Sequence, residues 1–292
     1  MSSPRLVVVW GNCQAAPLAD LLRAPLAAHG LEVVDVPPVF LATEHELAGV
    51  HDLVRQAAVL VSQPIREEYR FPGSGTAALA SRLPRGGRLV TVPTTVHAGP
   101  FPFLVHGHDA QGARVEAPLT DYHDLRVVLA ASRGAGPAGT SAWWPSPSAS
   151  EVRTRDADSL ARLRRRENGL DVRVSDLVDA PGALWSFNHP TNAVLAELAR
   201  RVLATIGVDA PVTPPDREYL AERQAPVEPA VAAALGWPAG EIRPDWVVRG
   251  QVLDRDEVVR AHLAFYAERP DVVAEALTRY ADRCAALIPT DR

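Results

Sequence analysis

The sequence predicts an α/β fold: a mainly parallel sheet with helices on both faces, in three layers, followed by a helical C-terminal extension. Two observations support this prediction. Over the first half of the chain, short apolar runs alternate with segments of helical periodicity, which is typical of parallel strands joined by helical crossovers. After Gly207, prolines separate short helical segments. We therefore expect an α/β catalytic domain over residues 1–207 and a helical subdomain or cap over residues 208–292.

Apolar runs and helical periodicity define the predicted elements of the first half. The predicted strands are Leu6–Trp10, Leu31–Val36, Ala58–Ser62 and Arg88–Val92. The predicted helices between them are Ala15–Ala28, Glu44–Gln56 and Thr76–Leu83. Ligands of such sheets bind outside the carboxyl ends of the strands, so the loops after the first, third and fourth strands are candidate site segments.

The second half of the chain is less regular. Residues Gly99–Pro118 are rich in Pro, Gly and His and predict a long loop that shapes a pocket. No regular ligand spacing supports a metal site among these histidines, and we predict none. Further helices are predicted over Leu119–Ser132, Ser150–Glu167, Ala193–Ile206, Arg255–Ala267 and Asp271–Leu287, with a short element at Val172–Val178 and a last strand at Ala183–Phe187.

The composition excludes several functional classes. The chain has 292 residues, 47% of them hydrophobic, and a net charge of −5, which argues against a nucleic-acid-binding surface. No apolar run reaches the ~20 residues of a membrane span, and no signal peptide is evident. The two cysteines favour free thiols in a reducing cytoplasm, where we expect the protein. The sequence contains no lysine, so any anionic ligand must be held by arginine, backbone N–H groups or helix ends.

The segment Gly11-Asn12-Cys13-Gln14 lies between the first predicted strand and an amphipathic helix. A cysteine at the N-terminus of a helix has its thiolate stabilised by the unpaired N–H groups and the helix dipole, which makes it a better nucleophile. The alternative is that Cys13 is a small, buried, inert residue at a strand-to-helix corner. Position alone leaves both interpretations open.

A cysteine nucleophile needs a base and an oxyanion hole. His189, just before a predicted helix, and His123, next to Asp124, are the two candidate bases. The candidate oxyanion or substrate contacts are amides and backbone at the same rim, namely Gly11, Asn12, Gln14, Gln63 and Asn188, with the N–H of Cys13 or Gln14 as a further donor. For the amides, turn formation and capping are the alternative role.

A nucleophile after the first strand, with a late His-Pro-x-Asn before an apolar helix, resembles the layout of the SGNH/GDSL hydrolases. In this chain Cys13 takes the place of the usual serine. The acidic residue that usually precedes the histidine by three positions is Ser186, which departs from that pattern. The resemblance therefore implies a Cys-His pair with a different orienting group.

A second resemblance covers roughly residues 5–205. Four segments in this order resemble the WcbI-type polysaccharide biosynthesis family: Gly11-Asn12-Cys13-Gln14, Gln63-Pro64, Tyr122-His123-Asp124 and Phe187-Asn188-His189-Pro190-Thr191. The resemblance implies a protein that binds coenzyme A and transfers an acetyl or other acyl group to a sugar during capsule or secondary-metabolite assembly. It implies Cys13 as the nucleophile and His189 or His123 as the base, and our first choice for a coenzyme phosphate contact is Arg66.

Three functions fit these residues. The first is an acyltransferase that uses acyl-coenzyme A and a small-molecule or glycan acceptor. The second is a cysteine esterase or thioesterase of SGNH-like layout, with water as the acceptor. The third is a non-catalytic coenzyme-A-binding protein in which Cys13 is a corner residue. The sequence identifies neither the acceptor, the acyl chain nor the oligomeric state.

Overall fold

The computed structural model describes residues 5–136 and 145–287. The chain divides into two compact units, each built from separate segments. One, the sheet unit, comprises Met1–Val96, Arg162–Leu184 and Asn188–Leu220; the second unit comprises His97–Ala161, Trp185–Phe187 and Ala221–Arg292. The predicted domain boundary at residue 207 stays a prediction, because a domain is defined by independent folding.

The strands and helices are numbered in chain order. The strands are β1 (Arg5–Trp10), β2 (Leu31–Val34), β3 (Ala57–Ser62), β4 (Arg88–Thr91), β5 (Leu104–Val105), β6 (Gly107–His108), β7 (Arg114–Val115), β8 (His123–Asp124), β9 (Leu184–Ser186), β10 (His189–Pro190), β11 (Arg223–Gln224), β12 (Trp246–Val248) and β13 (Gln251–Leu253). The helices are α1 (Ala15–Ala27), α2 (Glu44–Val54), α3 (Thr76–Ala80), α4 (Leu125–Ser132), α5 (Ala149–Arg166), α6 (Asn192–Thr205), α7 (Pro229–Leu235), α8 (Arg255–Glu268), α9 (Pro270–Arg279) and α10 (Ala281–Leu287).

The sheet unit is built on a parallel sheet in the order β2-β1-β3-β4. This confirms the predicted α/β class with a mainly parallel sheet. Because all four strands run in the same direction, the segments that follow β1, β3 and β4 emerge at one edge. That edge is the part of the fold on which a site would be built.

Helices cover both faces of this sheet. Side chains alternate along β1, and Val8 and Trp10 pack with residues of α2 and α3 in one apolar cluster. Val7 and Val9, on the opposite face, are also buried. Helix α1 packs against α6 and buries Leu18 and three further leucines, Leu21, Leu22 and Leu26. The α/β prediction with helices on both faces therefore holds.

In the second unit, α4, α8 and α9 share an apolar cluster that includes Val128, Leu263 and Val272. A three-stranded antiparallel sheet has the order β11-β12-β13. The predicted loop at Gly99–Pro118 contains the short strands β5, β6 and β7. Within the described ranges, no helix is long and apolar enough to cross a membrane.

One predicted helix begins later than its sequence pattern suggests. The prediction for Leu119–Ser132 is wrong over its first half, since α4 begins only at Leu125. Leu119 and Asp121 have φ values of 67° and 64°, which an α-helix excludes. His123 lies in β8, antiparallel to β5. The Tyr122-His123-Asp124 segment is therefore extended rather than helical.

Two other predicted elements differ from the structure. The single helix predicted over Asp271–Leu287 is divided into α9 and α10, because Tyr280 has non-helical angles of φ −116° and ψ 23°. Residues 172–178 form neither helix nor strand. Their backbone is held by the buried Glu167 carboxylate, which accepts the N–H groups of Val174 and Ser175 at 2.6 and 3.0 Å.

Candidate active site

The loop that follows β1 approaches the Gln63 side chain closely. A Cβ atom at Gly11 would lie 2.6 Å from Gln63 Oε1, so any larger residue at this position would displace the Gln63 side chain. The same Oε1 accepts the backbone N–H of Asn12 at 2.8 Å. Gln63 itself follows β3, and its N–H donates to Trp10 O at 3.0 Å. The loops after β1 and β3 are therefore joined through one buried amide.

Gln14 connects this pair to two further segments. Its amide is buried, with 2% of the residue exposed. Nε2 donates to Thr95 O and to Asn188 O, both at 2.8 Å. Oε1 accepts the Thr95 N–H at 3.0 Å and Gln63 Nε2 at 3.3 Å. We call Asn12, Gln14, Gln63, Thr95 and Asn188 the amide cluster.

Both amide hydrogens of Gln14 are donated within the protein, so this side chain is saturated. The amide cluster therefore ties together the loops after β1, β3 and β4 and the turn at Asn188. Sequence reasoning did not identify Thr95, whose only signal was its position after the fourth strand. The sequence did predict that five other residues lie at one rim, and the structure places these in direct contact: Gly11, Asn12, Gln14, Gln63 and Asn188.

Cys13 lies in the turn between β1 and α1 and is half-buried. Two hydrogen bonds to Asn12 stabilise the turn, one from Gln14 N–H to Asn12 Oδ1 and one from Ala15 N–H to Asn12 O, each at 2.9 Å. Helix α1 begins two residues later, without a side-chain cap. Its N-terminal dipole favours negative charge on a group in this position. Neither Cys13 nor Cys284 forms a disulfide.

His189 is half-buried and follows Asn188 directly, in β10. The Asn188 carbonyl accepts Gln14 Nε2 at 2.8 Å, and Gln14 follows Cys13 directly. Cys13 and His189 therefore flank two residues that are joined by a single side-chain hydrogen bond. The geometry brings a thiol and an imidazole from distant parts of the sequence to the same edge of the sheet.

Arg66 lies in the segment that follows β3 and is exposed. The backbone next to it is held by two hydrogen bonds, from Ile65 N–H to Thr76 Oγ1 at 2.9 Å and from Thr76 N–H to Ile65 O at 3.1 Å. Among the described residues, no hydrogen bond or ion pair engages the Arg66 guanidinium. A charged group on a held backbone is suited to bind an anion.

The other candidate base, His123, lies in the second unit and is fully buried. Its Nε2 lies 2.9 Å from Val115 O and its Nδ1 2.7 Å from the Tyr266 hydroxyl. Because a carbonyl only accepts, Nε2 carries the hydrogen and Nδ1 accepts from Tyr266. Burial lowers the pKa of His123 and so favours its neutral form. Both ring nitrogens are engaged, as expected for a structural histidine.

Asp124 caps α4 and pairs with Arg126. Its carboxylate accepts the Arg126 N–H at 2.9 Å, and its two oxygens accept the guanidinium at 3.0 and 2.7 Å. The bond from the backbone N–H caps the helix, which explains why an aspartate at this position starts it. The adjacent His123 and Asp124 side chains therefore have separate hydrogen-bond partners, and their catalytic role stays a prediction.

Two further histidines, His106 in the Gly99–Pro118 region and His97 just before it, have contacts within the protein. His106 stacks on Tyr122 with ring centroids 5.7 Å apart and meets the edge of Phe187 at 4.8 Å. His97, just before this region, is buried, with Nε2 3.0 Å from a carboxylate oxygen of Asp156. The predicted lack of a metal stays a prediction.

Comparisons with known proteins identify the family and the fold of this chain. A family model described as "Polysaccharide biosynthesis enzyme WcbI" matches residues 6–211. A solved structure of WcbI, a novel polysaccharide biosynthesis enzyme, superimposes with a TM-score of 0.79 at 18% identity over 96% of both chains, and so shows the fold. It is described as the native protein without a disulfide bond between coenzyme A and one of its cysteines. No curated protein matches. The chain belongs to the family of WcbI polysaccharide biosynthesis enzymes.

Proposed function

We propose that this enzyme is a coenzyme-A-dependent acyltransferase, with acetyl as the first acyl group to test and a sugar or secondary metabolite as the acceptor. The observation that carries the proposal is the hydrogen bond from Gln14 Nε2 to Asn188 O at 2.8 Å. It holds the residue after Cys13 against the residue before His189. A thiol and an imidazole at one sheet edge are the two groups that nucleophilic acyl transfer needs.

The reaction proceeds in two steps. The Cys13 sulfur, as thiolate, attacks the thioester carbonyl, and the carbon–sulfur bond to coenzyme A breaks, so that the acyl group is on Cys13 and coenzyme A leaves as its thiolate. An acceptor hydroxyl then attacks the new thioester and gives its proton to His189. The Cys13 sulfur leaves as thiolate, and His189 releases its proton to solvent or to the coenzyme A thiolate, which regenerates the enzyme. Each step exchanges one acyl bond for another and needs no further reactant.

The hydrogen bonds of His123 within the protein favour His189 as the base. Both ring nitrogens of His123 are engaged within the protein. His123 and Asp124 are therefore assigned a structural role. His189 is half-buried and is joined through Asn188 to the residue that follows Cys13.

The amides divide into positioning groups and donors. Gln14 has no amide hydrogen left to donate, and we assign it, together with Gln63, to holding the loops in place. Asn12 uses Oδ1 in the turn, while its Nδ2 has no hydrogen-bond partner among the described residues. Asn12 Nδ2 and the backbone N–H groups at the start of α1 are therefore the proposed oxyanion donors.

Two observations support coenzyme A as the donor. The solved relative is described with reference to a disulfide between coenzyme A and one of its cysteines. In this chain Arg66 supplies an exposed cation on the segment after β3, suited to a phosphate of the coenzyme. Reversal of charge in Arg66→Glu is expected to weaken coenzyme A binding, measured by calorimetry, by at least about tenfold.

The proposal is tested by incubating the protein with acetyl-coenzyme A and measuring its intact mass. We expect one acetyl group, mapped by peptide analysis to Cys13, that is absent in Cys13→Ala. Cys284→Ala is the matched control, because burial raises the pKa of the Cys284 thiol and disfavours its thiolate.

Three other results would contradict the proposal in different ways. Release of acetate at the same rate with and without any acceptor would indicate a thioesterase. Coenzyme A binding without acetylation or turnover would indicate a binding protein. Full transferase activity in Cys13→Ala would exclude the covalent step.

A further inference from the structure

The second unit encloses a cavity that the proposed transfer does not use. The cavity is partly open to solvent, so a ligand can reach it from outside. Its walls are mainly apolar and aromatic, with a few polar groups. The residues that carry the argument are Phe103, Tyr122, Arg126, Glu228, Trp246 and His262.

An aromatic stack ends at this cavity. Tyr122 stacks on His106 at 5.7 Å with an interplanar angle of 23°, and on Trp246 at 5.9 Å with an angle of 16°. Among the described residues, Trp246 is the last ring of the stack, and it lines the cavity. A flat aromatic ring at the wall of a cavity offers a surface on which the C–H face of a saturated ring can pack.

His262 contributes an acceptor that the protein does not use. It is 1% exposed, and its Nε2 lies 3.0 Å from Pro118 O and 3.2 Å from Thr120 Oγ1. Since a carbonyl only accepts, Nε2 carries the hydrogen and Nδ1 carries a lone pair. Among the described residues, Nδ1 has no hydrogen-bond partner. Burial lowers the pKa of His262 to about 4, so the ring is neutral at pH 7.

A buried ion cluster adds further acceptors. Arg126, 3% exposed, lies over the Phe103 ring at 3.8 Å and contacts Asp124 at 2.7 Å and Glu228 at 2.6 Å. Two carboxylates thus face one guanidinium. Asp124 is occupied by three bonds from Arg126. Glu228 lines the cavity and retains lone pairs for a donor from a ligand.

We propose that this cavity binds a sugar ring, with the C–H face on Trp246 and hydroxyl groups donating to Glu228 and to His262 Nδ1. An unused buried acceptor lowers the free energy of a complex when a ligand hydroxyl supplies the missing donor. A saturated ring with hydroxyls at its edge provides both the apolar face and the donors. The choice of a sugar as the ligand rests on the proposed function, which names a sugar as one of two acceptor classes.

The test is saturation-transfer NMR on the full-length protein without coenzyme A. The probes are the methyl α-glycosides of glucose, mannose and galactose, and tetrahydropyran is a ring without hydroxyls. We expect at least one glycoside to bind and tetrahydropyran not to bind. Affinity should fall at least about tenfold in Trp246→Leu and in Glu228→Gln, which removes one charged acceptor and keeps the shape of the side chain.

The matched control is Glu275→Gln, which changes a Glu–Arg pair on α9, where Glu275 lies 2.7 Å from Arg279. It should leave glycoside affinity unchanged. Thermal unfolding of each variant shows whether it is folded. If Trp246→Leu is unfolded, the glycoside affinity of Glu228→Gln alone tests the sugar site. No binding of any glycoside, equal binding of tetrahydropyran, or unchanged affinity in both cavity variants would overturn the inference.

These outcomes are separate from those of the proposed function. Glycoside binding without acetyl transfer would contradict the proposed function and leave the sugar site standing. Acetyl transfer by a protein whose glycoside affinity is unchanged in both Trp246→Leu and Glu228→Gln would overturn the sugar site and leave the proposed function standing.

Discussion

The surroundings of Cys13 and the cavity beside Trp246 both contain buried polar side chains, but the two regions use them differently. In the amide cluster, every hydrogen-bonding atom of the Gln14 amide has a protein partner. In the cavity, His262 Nδ1 has none among the described residues. A saturated buried amide positions the backbone around it, whereas an unused buried acceptor favours a ligand that donates. The first arrangement is suited to the proposed chemistry on Cys13, and the second is suited to the proposed recognition of a ligand.

The largest effect is expected from removing the amide of Gln14. Gln14→Leu leaves the Thr95 N–H and the carbonyls of Thr95 and Asn188 without their partner. We expect the free energy of unfolding to fall by about 3 kcal/mol, since each buried unsatisfied group costs roughly 1–3 kcal/mol. Acetylation of Cys13 should fall with it. Urea unfolding and intact mass measure the two effects.

The control for this substitution is Gln56→Leu. The Gln56 amide donates at an exposed position to Asp52 O at 3.1 Å, so its loss should change stability little. If Gln14→Leu were as stable and as active as wild type, the amide cluster would not be what holds Cys13 and His189 at one edge.

The pH dependence of stability is expected to come from the second unit. Burial lowers the pKa of His262 to about 4, below the ordinary histidine value of 6.5. The unfolded chain then binds a proton that the folded chain does not, so stability is complete above pH 6.5 and falls as the pH drops toward 4. The expected loss is about 3 kcal/mol, at 1.36 kcal/mol for each pKa unit.

Urea unfolding between pH 4 and 7.5 measures this slope. We expect it to be shallower in His262→Phe and unchanged in His45→Phe, an exposed histidine. An equal slope in wild type and His262→Phe would show that His262 is not the neutral buried ring on which the cavity argument depends.

A smaller effect is expected from Gly11→Ala. The added Cβ would lie 2.6 Å from Gln63 Oε1, and moving that side chain disturbs its bond to the Asn12 N–H. We expect a loss of roughly 1–3 kcal/mol in the free energy of unfolding. Gly49→Ala, in helix α2, is the matched control, because no atom lies within 4 Å of the Cβ that alanine would add. Alanine should stabilise that helix by up to about 1 kcal/mol.

Thermal unfolding of the two glycine variants provides the comparison. If Gly11→Ala were as stable as wild type, the loop after β1 would have room that the structure does not show.

Local patterns predicted the sheet unit well. Apolar runs and helical periodicity are properties of neighbouring residues, and β1, α1 and β3 begin and end within one residue of their predicted bounds. The same patterns predicted a helix through Tyr122-His123-Asp124, where pairing with β5 and the positive φ values of Leu119 and Asp121 decide the structure instead. Strand pairing and left-handed backbone depend on tertiary contacts, which sequence periodicity does not record.

The site could be predicted only in part, because local sequence patterns do not record tertiary contacts. A cysteine between an apolar run and a helix is visible in the sequence, as is a histidine before a later helix. The contacts of Gln14 are not, because its partners Thr95 and Asn188 lie 81 and 174 residues away. The role of Gln14 as a saturated positioning group therefore required the structure.

The central claim is that Cys13 is an activated thiol assisted by His189, and the most direct measurement is its alkylation by iodoacetamide at pH 7. Mass spectrometry of the two cysteine peptides gives both rates in one sample. We predict that Cys13 reacts at least about tenfold faster than Cys284 and that His189→Ala, but not His45→Ala, slows it. Equal rates at the two cysteines, or a Cys13 rate that His189→Ala leaves unchanged, would contradict the claim.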